Sequence, residues 1–222
     1  MDHDPSTQLV YRLDHQRVRC AGLTQPHTDT NNEALVIGPR LHTSRRLVLH
    51  ILFVCTGNIC RSPTAERLAI AYAEQLGTDG VAVSSAGVRA VIGHPIHATA
   101  ALVLQSLGGD ASDFAARQLT PRVAAGADLV LTMTAAHRDA VLERTPTLLH
   151  RTFTMSEAAR LATDMRATTV HDLSALRAHI PRRELADIAD PIGQDVAVFE
   201  RIGTQIADML LPILDLCRRI ET

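Results

Sequence analysis

Residues 55 to 63 read Cys-Thr-Gly-Asn-Ile-Cys-Arg-Ser-Pro, so a thiol stands six residues before a guanidinium with small polar residues between them. Gly57 can take positive φ and Asn58 tolerates it, which lets successive backbone N–H groups converge on an oxyanion. If a helix starts just beyond, its unsatisfied donors add to the cradle. Arg61 supplies a planar, permanently charged fork that can hold two phosphate oxygens at once. The same positive surroundings favour the thiolate of Cys55, the form that attacks electrophiles. Thr56, Gly57, Asn58, Ile59, Cys60 and Ser62 are therefore the expected substrate-binding positions. The chemistry they frame is nucleophilic attack by Cys55 on a cradled phosphoryl group.

Such a loop needs a strand before it and a helix after it. Leu47 to Val54 is a short apolar run rich in strand formers, consistent with a central parallel strand covered on both faces. After the loop, Ser62 can cap a helix and Pro63 suits its first position, while Ala65, Leu68, Ala69, Tyr72 and Leu76 repeat at three or four residues and Gly77 closes the segment. Val81–Ser84, Leu129–Thr132 and Arg151–Thr154 read as further strands, with helices predicted near 97–107, 134–144 and 156–162. This alternation predicts an α/β fold with a parallel sheet. A last helix over about 195–219 lines up Phe199, Ile202, Ile206, Met209, Leu210, Ile213 and Cys217, although Pro212 should kink it or break its hydrogen-bond ladder. Ligands of open parallel sheets bind beyond the carboxyl ends of the strands, which is where the Cys55 loop falls. Residues 1–46 show little periodicity and are expected to form a poorly ordered extension to a domain covering 47–222.

At 222 residues, 46% apolar and 21% charged, the chain has the composition of a globular domain, and its formal charge of −2 offers no field to gather nucleic acid. The longest apolar run, Leu47 to Cys55, is interrupted by His50 and falls short of the roughly 20 residues that span a bilayer. No basic signal-peptide start precedes it, since Asp2, His3 and Asp4 open the chain, so a cytoplasmic location is expected. Cysteines at 20, 55, 60 and 217 are too unevenly placed for a disulfide framework or a metal site, and neither a metal nor another cofactor is expected. Cys55 and Cys60 could close a reversible disulfide under peroxide.

The loop, its setting and several downstream landmarks together resemble the low-molecular-weight protein tyrosine phosphatases. The landmarks are Ser85-Ala-Gly87, Gly93-His-Pro95, Ala116-Arg-Gln-Leu119 and Ala127-Asp-Leu-Val-Leu-Thr-Met133, in the family's order. The resemblance implies a three-layer fold with a central parallel four-stranded sheet flanked by helices. It implies that Cys55 is the nucleophile, that Arg61 clamps phosphate, and that Asn58, Ser62 and Ser85 form a hydrogen-bond network shaping the loop. By the same resemblance Ser62 stabilises the departing thiolate, and Asp190, ahead of Pro191, is the general acid that protonates the leaving oxygen. The implied substrates are phosphorylated proteins or small phosphate esters.

Two departures from the family pattern bear on specificity. Ile192 and Gly193 follow the Asp-Pro pair, and Val88 to Ile92 follow the Ser85 strand, where the family commonly places aromatic residues around a tyrosyl ring. Phe114 stands where some members have a histidine in the loop network. An arsenate reductase on the same scaffold is one alternative, but its thioredoxin-coupled forms need two further cysteines, and only Cys217 follows Cys60. A protein-arginine phosphatase is another; Ile59 occupies the position where that group tends to carry threonine. Retention of Cys55, Arg61 and Asp190 argues against a phosphate-binding module without turnover.

Overall fold

The computed structural model describes residues 48–78, 80–181 and 185–219. The expected N-terminal extension lies outside them. Four parallel strands form one sheet: β1 (Leu49–Cys55), β2 (Val81–Gly87), β3 (Leu129–Thr132) and β4 (Thr152–Thr154), in the order β2-β1-β3-β4. The strand order reverses at β1, with β2 on one side and β3 on the other, so the crevice at its carboxyl end is a topological switch point. β2 runs three residues beyond its predicted end, while β4 is reduced to three residues preceded by a 3-10 turn, Pro146–Arg151.

Side chains alternate across the sheet with the period of two that a strand imposes. Ile51, Phe53 and Cys55 enter the larger apolar cluster, together with Leu129 and Leu131. Leu52, Val54 and Val130 enter the smaller one on the other face. All are buried, and each large side chain so removed from water contributes about 1.5–3 kcal/mol. The larger cluster is covered by α1 (Arg61–Leu76), α2 (Ala98–Ser106), α5 (Met155–Thr163) and α7 (Val196–Arg219), the smaller by α3 (Pro121–Ala125) and α4 (Ala135–Arg144). Helix α6 (Val170–Leu176) adds Leu173 to the larger cluster. Among the described residues no helix is long and apolar enough to cross a membrane.

Two local expectations are corrected. Cys60, not Ser62, is the N-cap residue of α1, and no side chain caps that end. Ser62 is buried within the first turn, its hydroxyl committed to the loop, and Pro63 beside it still lies where a missing N–H breaks no helical bond. Leu76, assigned to the buried face, is 44% exposed, because the helix ends at Gly77, whose φ of 64° turns the chain away. α7 runs as one helix from Val196 to Arg219 with Pro212 inside it, where the ring removes one bond from the ladder as expected. Ile206 and Leu210 before the proline and Ile213 and Leu214 after it are all buried, and that packing holds the two halves in register despite the lost hydrogen bond.

Candidate active site

Cys55 ends β1 and Arg61 begins α1, so the five residues between them must turn the chain over the helix N-terminus. The turn is made at Asn58, whose φ is 55°. Gly57, the other residue open to positive φ, does not adopt it; a Cβ there would meet Ile59 at 3.4 Å, an ordinary contact. Asn58 tolerates the left-handed region because its buried side chain is fully used. Its Nδ2 donates to Ser62 Oγ (3.0 Å) and Ser85 Oγ (2.7 Å), and its Oδ1 accepts from Arg117 N (2.8 Å).

The outside of the loop is stitched to its neighbours through carbonyls. Val88, Arg89, Val91 and His97 donate their backbone N–H groups to Cys55 O (2.9 Å), Thr56 O (3.0 Å), Gly57 O (2.9 Å) and Ile59 O (2.7 Å). With the carbonyls held outward, the loop's N–H groups are left facing inward. Among the described residues those of Gly57, Ile59, Cys60, Arg61 and Ser62 have no acceptor, while Asn58 N–H points at Cys55 Sγ (3.3 Å). Ser62 Oγ, which accepts from Asn58, lies within hydrogen-bond distance of the same sulfur at 3.0 Å and can donate to it when it is a thiolate. The result is a ring of donors around a buried thiol, which is an oxyanion site with a nucleophile at its base.

The downstream landmarks acquire physical reasons. Gly87 passes so close to the loop that a Cβ would stand 2.5 Å from Thr56 O and 3.0 Å from Asn58 N. Arg117 holds Asn58 through its N–H and Ser85 O through its Nε (2.7 Å). Gln118 clamps the turn after β2, accepting from Ala90 N (3.0 Å) and donating to Val88 O (3.0 Å). Ser85 Oγ donates to Glu66 Oε2. Burial pushes the Glu66 carboxyl above its ordinary range, against the pull of Ser85, Arg67 and Arg117. Glu66 thus supplies the polar end of the network; Phe114 instead lies under the Arg67 guanidinium, 5.6 Å from its ring centroid.

Asp190 reaches the loop from the far end of the chain. Ile188 N–H donates to Met133 O (2.9 Å), and Asp187 Oδ1 accepts from Ala135 N (2.8 Å), which ties the segment to the end of β3 and the start of α4. Arg61 then reaches up, Nη1 to Ile188 O (2.9 Å) and Nη2 to Asp190 Oδ2 (2.6 Å). Arg61 is 4% exposed and Asp190 48%, so the pair spans from the floor of the crevice to its rim. Arg61 Nε is buried with no hydrogen-bond partner among the described residues, a donor available to an oxyanion. The turn after Asp190 closes with Gln194 N–H on Pro191 O (2.9 Å) and puts Gly193 at φ 80°.

The sequence residues Cys55, Arg61 and Asp190 are therefore brought together, with Ser85 bonded behind Asn58. One neighbour was not foreseen. His137, in the first turn of α4, is buried and bridges Thr56 Oγ1 (2.8 Å from Nε2) and Thr134 Oγ1 (2.9 Å from Nδ1). Burial, with the charge of Arg61 adding to it, pushes its pKa down to about 4, so the ring is neutral near neutral pH. Its contact with Thr56 joins residues 81 apart in sequence, and only Thr134, a cap residue three positions before it, leaves a local trace. Cys60 is a free, buried thiol whose pKa is pushed up to about 12 by burial and by Cys55, with Arg61 opposing.

The sequence profile of low molecular weight phosphotyrosine protein phosphatases matches residues 50–157. A probable low molecular weight protein-tyrosine-phosphatase, EpsP, of Ralstonia nicotianae is 32% identical over 154 residues, 69% of this chain and 86% of the relative. A protein-arginine-phosphatase of Geobacillus stearothermophilus is 33% identical over 160 residues, 72% of this chain and 90% of the relative. Among solved structures, the low molecular weight protein tyrosine phosphatase of T. tengcongensis aligns with a TM-score of 0.61 at 29% identity, covering 75% of this chain and 98% of that one.

Proposed function

The chain belongs to the low-molecular-weight protein tyrosine phosphatase family, and from that premise we propose that it hydrolyses phosphotyrosine-type phosphate monoesters through a cysteinyl-phosphate intermediate. The observation that carries the reading is the inward ring of loop N–H groups around Cys55 Sγ, with the unpartnered Nε of Arg61 beside it. In the first step Cys55 Sγ attacks phosphorus, the phosphorus–oxygen ester bond breaks, and Asp190 gives its proton to the leaving oxygen. The loop N–H groups and Arg61 hold the equatorial oxygens throughout. In the second step water attacks phosphorus, Asp190 takes a proton from it, and the phosphorus–sulfur bond breaks. The thiolate then leaves toward the Ser62 hydroxyl. For Arg61 to grip phosphate, its Nη2 exchanges the Asp190 carboxylate for a substrate oxygen, which frees Asp190 for proton transfer.

The substrate is a phosphorylated protein or a small aryl phosphate. Val91, 39% exposed, and Ile192, 43% exposed, stand where aromatic walls would grip a ring. We therefore expect a high KM for isolated phosphotyrosine. The relative named as a protein-arginine-phosphatase makes phosphoarginine the second substrate to consider, with Ile59 in the loop favouring phosphotyrosine. A cytoplasmic, reducing location suits a mechanism that needs the thiols of Cys55 and Cys60.

A turnover panel of aryl phosphate with phosphotyrosine, phosphoserine and phosphoarginine peptides tests the reading, together with two variants. Cys55→Ser should abolish turnover yet still bind phosphate or vanadate, because the cradle is backbone and Arg61. Asp190→Asn should slow aryl phosphates with basic leaving groups by about 10²–10⁴ and activated ones much less. Multiple turnover by Cys55→Ser would sink the mechanism, and equal losses for the two leaving groups would move the acid away from Asp190.

A further inference from the structure

Next to the catalytic loop, between the turn after β2 and the outer face of α4, lies a cleft of about 330 Å³. Its lining holds the hydrogen bond between His137 and Thr56, the residue that directly follows the nucleophile. One bank carries Arg89 and the other Arg144, with Glu143 beside it. All three charged side chains are exposed. The Arg89 side chain has no hydrogen-bond or ion-pair partner among the described residues, and Arg144 spends only Nη1, on Ala140 O (2.7 Å). His137 is neutral, so the cleft carries two positive charges against one negative.

From this juxtaposition we propose that the cleft is a subsite for an acidic residue of the substrate, one to three positions from the phosphorylated one. The proposal rests on the phosphatase reading above and deepens it by naming a substrate class. An extended peptide advances about 3.3 Å per residue, so a chain with its phosphorylated side chain over Cys55 carries its near neighbours across the ground beside Thr56. A carboxylate there meets the planar donor fork of an arginine on either bank. Glu143 opposes it, which makes the sign of each contribution separately testable.

The experiment is steady-state kinetics of the full chain on phosphotyrosine peptides differing only in Asp and Glu against Asn and Gln at the flanking positions, with a small aryl phosphate as control. Acidic peptides should be favoured about three- to tenfold in kcat/KM, through KM, and high salt should erase the preference. Arg144→Gln should reduce the preference and Glu143→Gln should enlarge it, both leaving aryl phosphate turnover unchanged; Arg89→Gln, which keeps the backbone N–H on Thr56 O, should reduce it too. The same peptides are titrated onto Cys55→Ser, so that the cleft is read by affinity without turnover. Equal kcat/KM and equal affinity for acidic and neutral peptides would overturn the subsite, as would a preference that survives both arginine substitutions. Failure of the aryl phosphate control alone would count against the phosphatase reading and leave the affinity comparison to decide the cleft.

Discussion

Thr56 adjoins the nucleophile, and a neutral histidine holds it. His137 Nε2 pairs with Thr56 Oγ1 and Nδ1 with Thr134 Oγ1, so the neutral ring donates to one threonine and accepts from the other, while Thr134 Oγ1 also accepts from the His137 backbone N–H. In an unfolded chain this ring titrates near its ordinary value of about 6.5, whereas in the fold it does so near 4. Between those values the unfolded chain binds a proton that the folded chain refuses. The stability owed to this group is therefore fully present above about pH 6.5 and is lost as pH falls toward 4. The Tm gap between the natural chain and His137→Gln should narrow as pH is lowered through that window; a gap that stays constant would mean that the ring is not held neutral. Ile192 allows a second test at this scale. Tyrosine at that position should lower KM for phosphotyrosine peptides by about two- to tenfold with little change in kcat, since a wall grips ground and transition states alike. An unchanged KM would place the ring of the substrate elsewhere. Cys55, Arg61 and Asn58 were legible because the full nine-residue string, set between an apolar strand and a Ser-Pro helix start, implies a cradle, where a Cys and an Arg six apart alone would not. The contacts of His137, Glu66 and Arg117 were not, although Arg117 lies in a quoted landmark, because each reaches the loop only through a partner that the fold brings to it.

The end of β2 and the catalytic loop are in backbone contact at Gly87, and this contact shapes the loop from outside. A methyl group at Gly87 would press on Thr56 O at 2.5 Å and Asn58 N at 3.0 Å, neither of which is a flexible side chain. Gly87→Ala should therefore cost about 1–3 kcal/mol and depress kcat further than stability alone would explain, by about 10², because displacement propagates to the donors around Cys55. Urea unfolding and kcat measured together check this, and a variant that unfolds earlier yet keeps its kcat would show that the loop is shaped from within. At this scale β1, β3, α1, α4 and α7 could be read from apolar runs and periodicity long enough to specify a face. α3 and α6 could not, since five and seven residues offer barely two turns. Their caps were nonetheless written locally: Thr120 accepts from Val123 N, and Thr169 with Asp172 forms a reciprocal capping box. Of the two loop residues open to the left-handed region, Asn58 takes it and Gly57 does not. Glycine is permissive at any φ, whereas Asn58 is held by its side chain, which bonds Ser62 within the loop and Ser85 and Arg117 from distant sequence.

For the whole molecule, each strand of the sheet, both apolar clusters and every site residue lie between 49 and 217. The two faces of the sheet are closed by helices from within that span, and the loop, Ser85, Arg117, His137 and Asp190 are tied to one another across it. Among the described residues, every contact that shapes the site is made within 49–217. A chain beginning at residue 47 should accordingly fold, melt within about 3 °C of the full chain and retain kcat/KM on aryl phosphate within about twofold. For a domain of this size, 3 °C corresponds to roughly 1 kcal/mol, the scale of a surface perturbation rather than of a lost core element. Calorimetry and steady-state kinetics on both chains make the comparison. A fall of more than about 10 °C, several kcal/mol by the same conversion, would show that the first 46 residues bury apolar surface of the domain. A loss of turnover at unchanged Tm would show that they contribute to the crevice above Cys55.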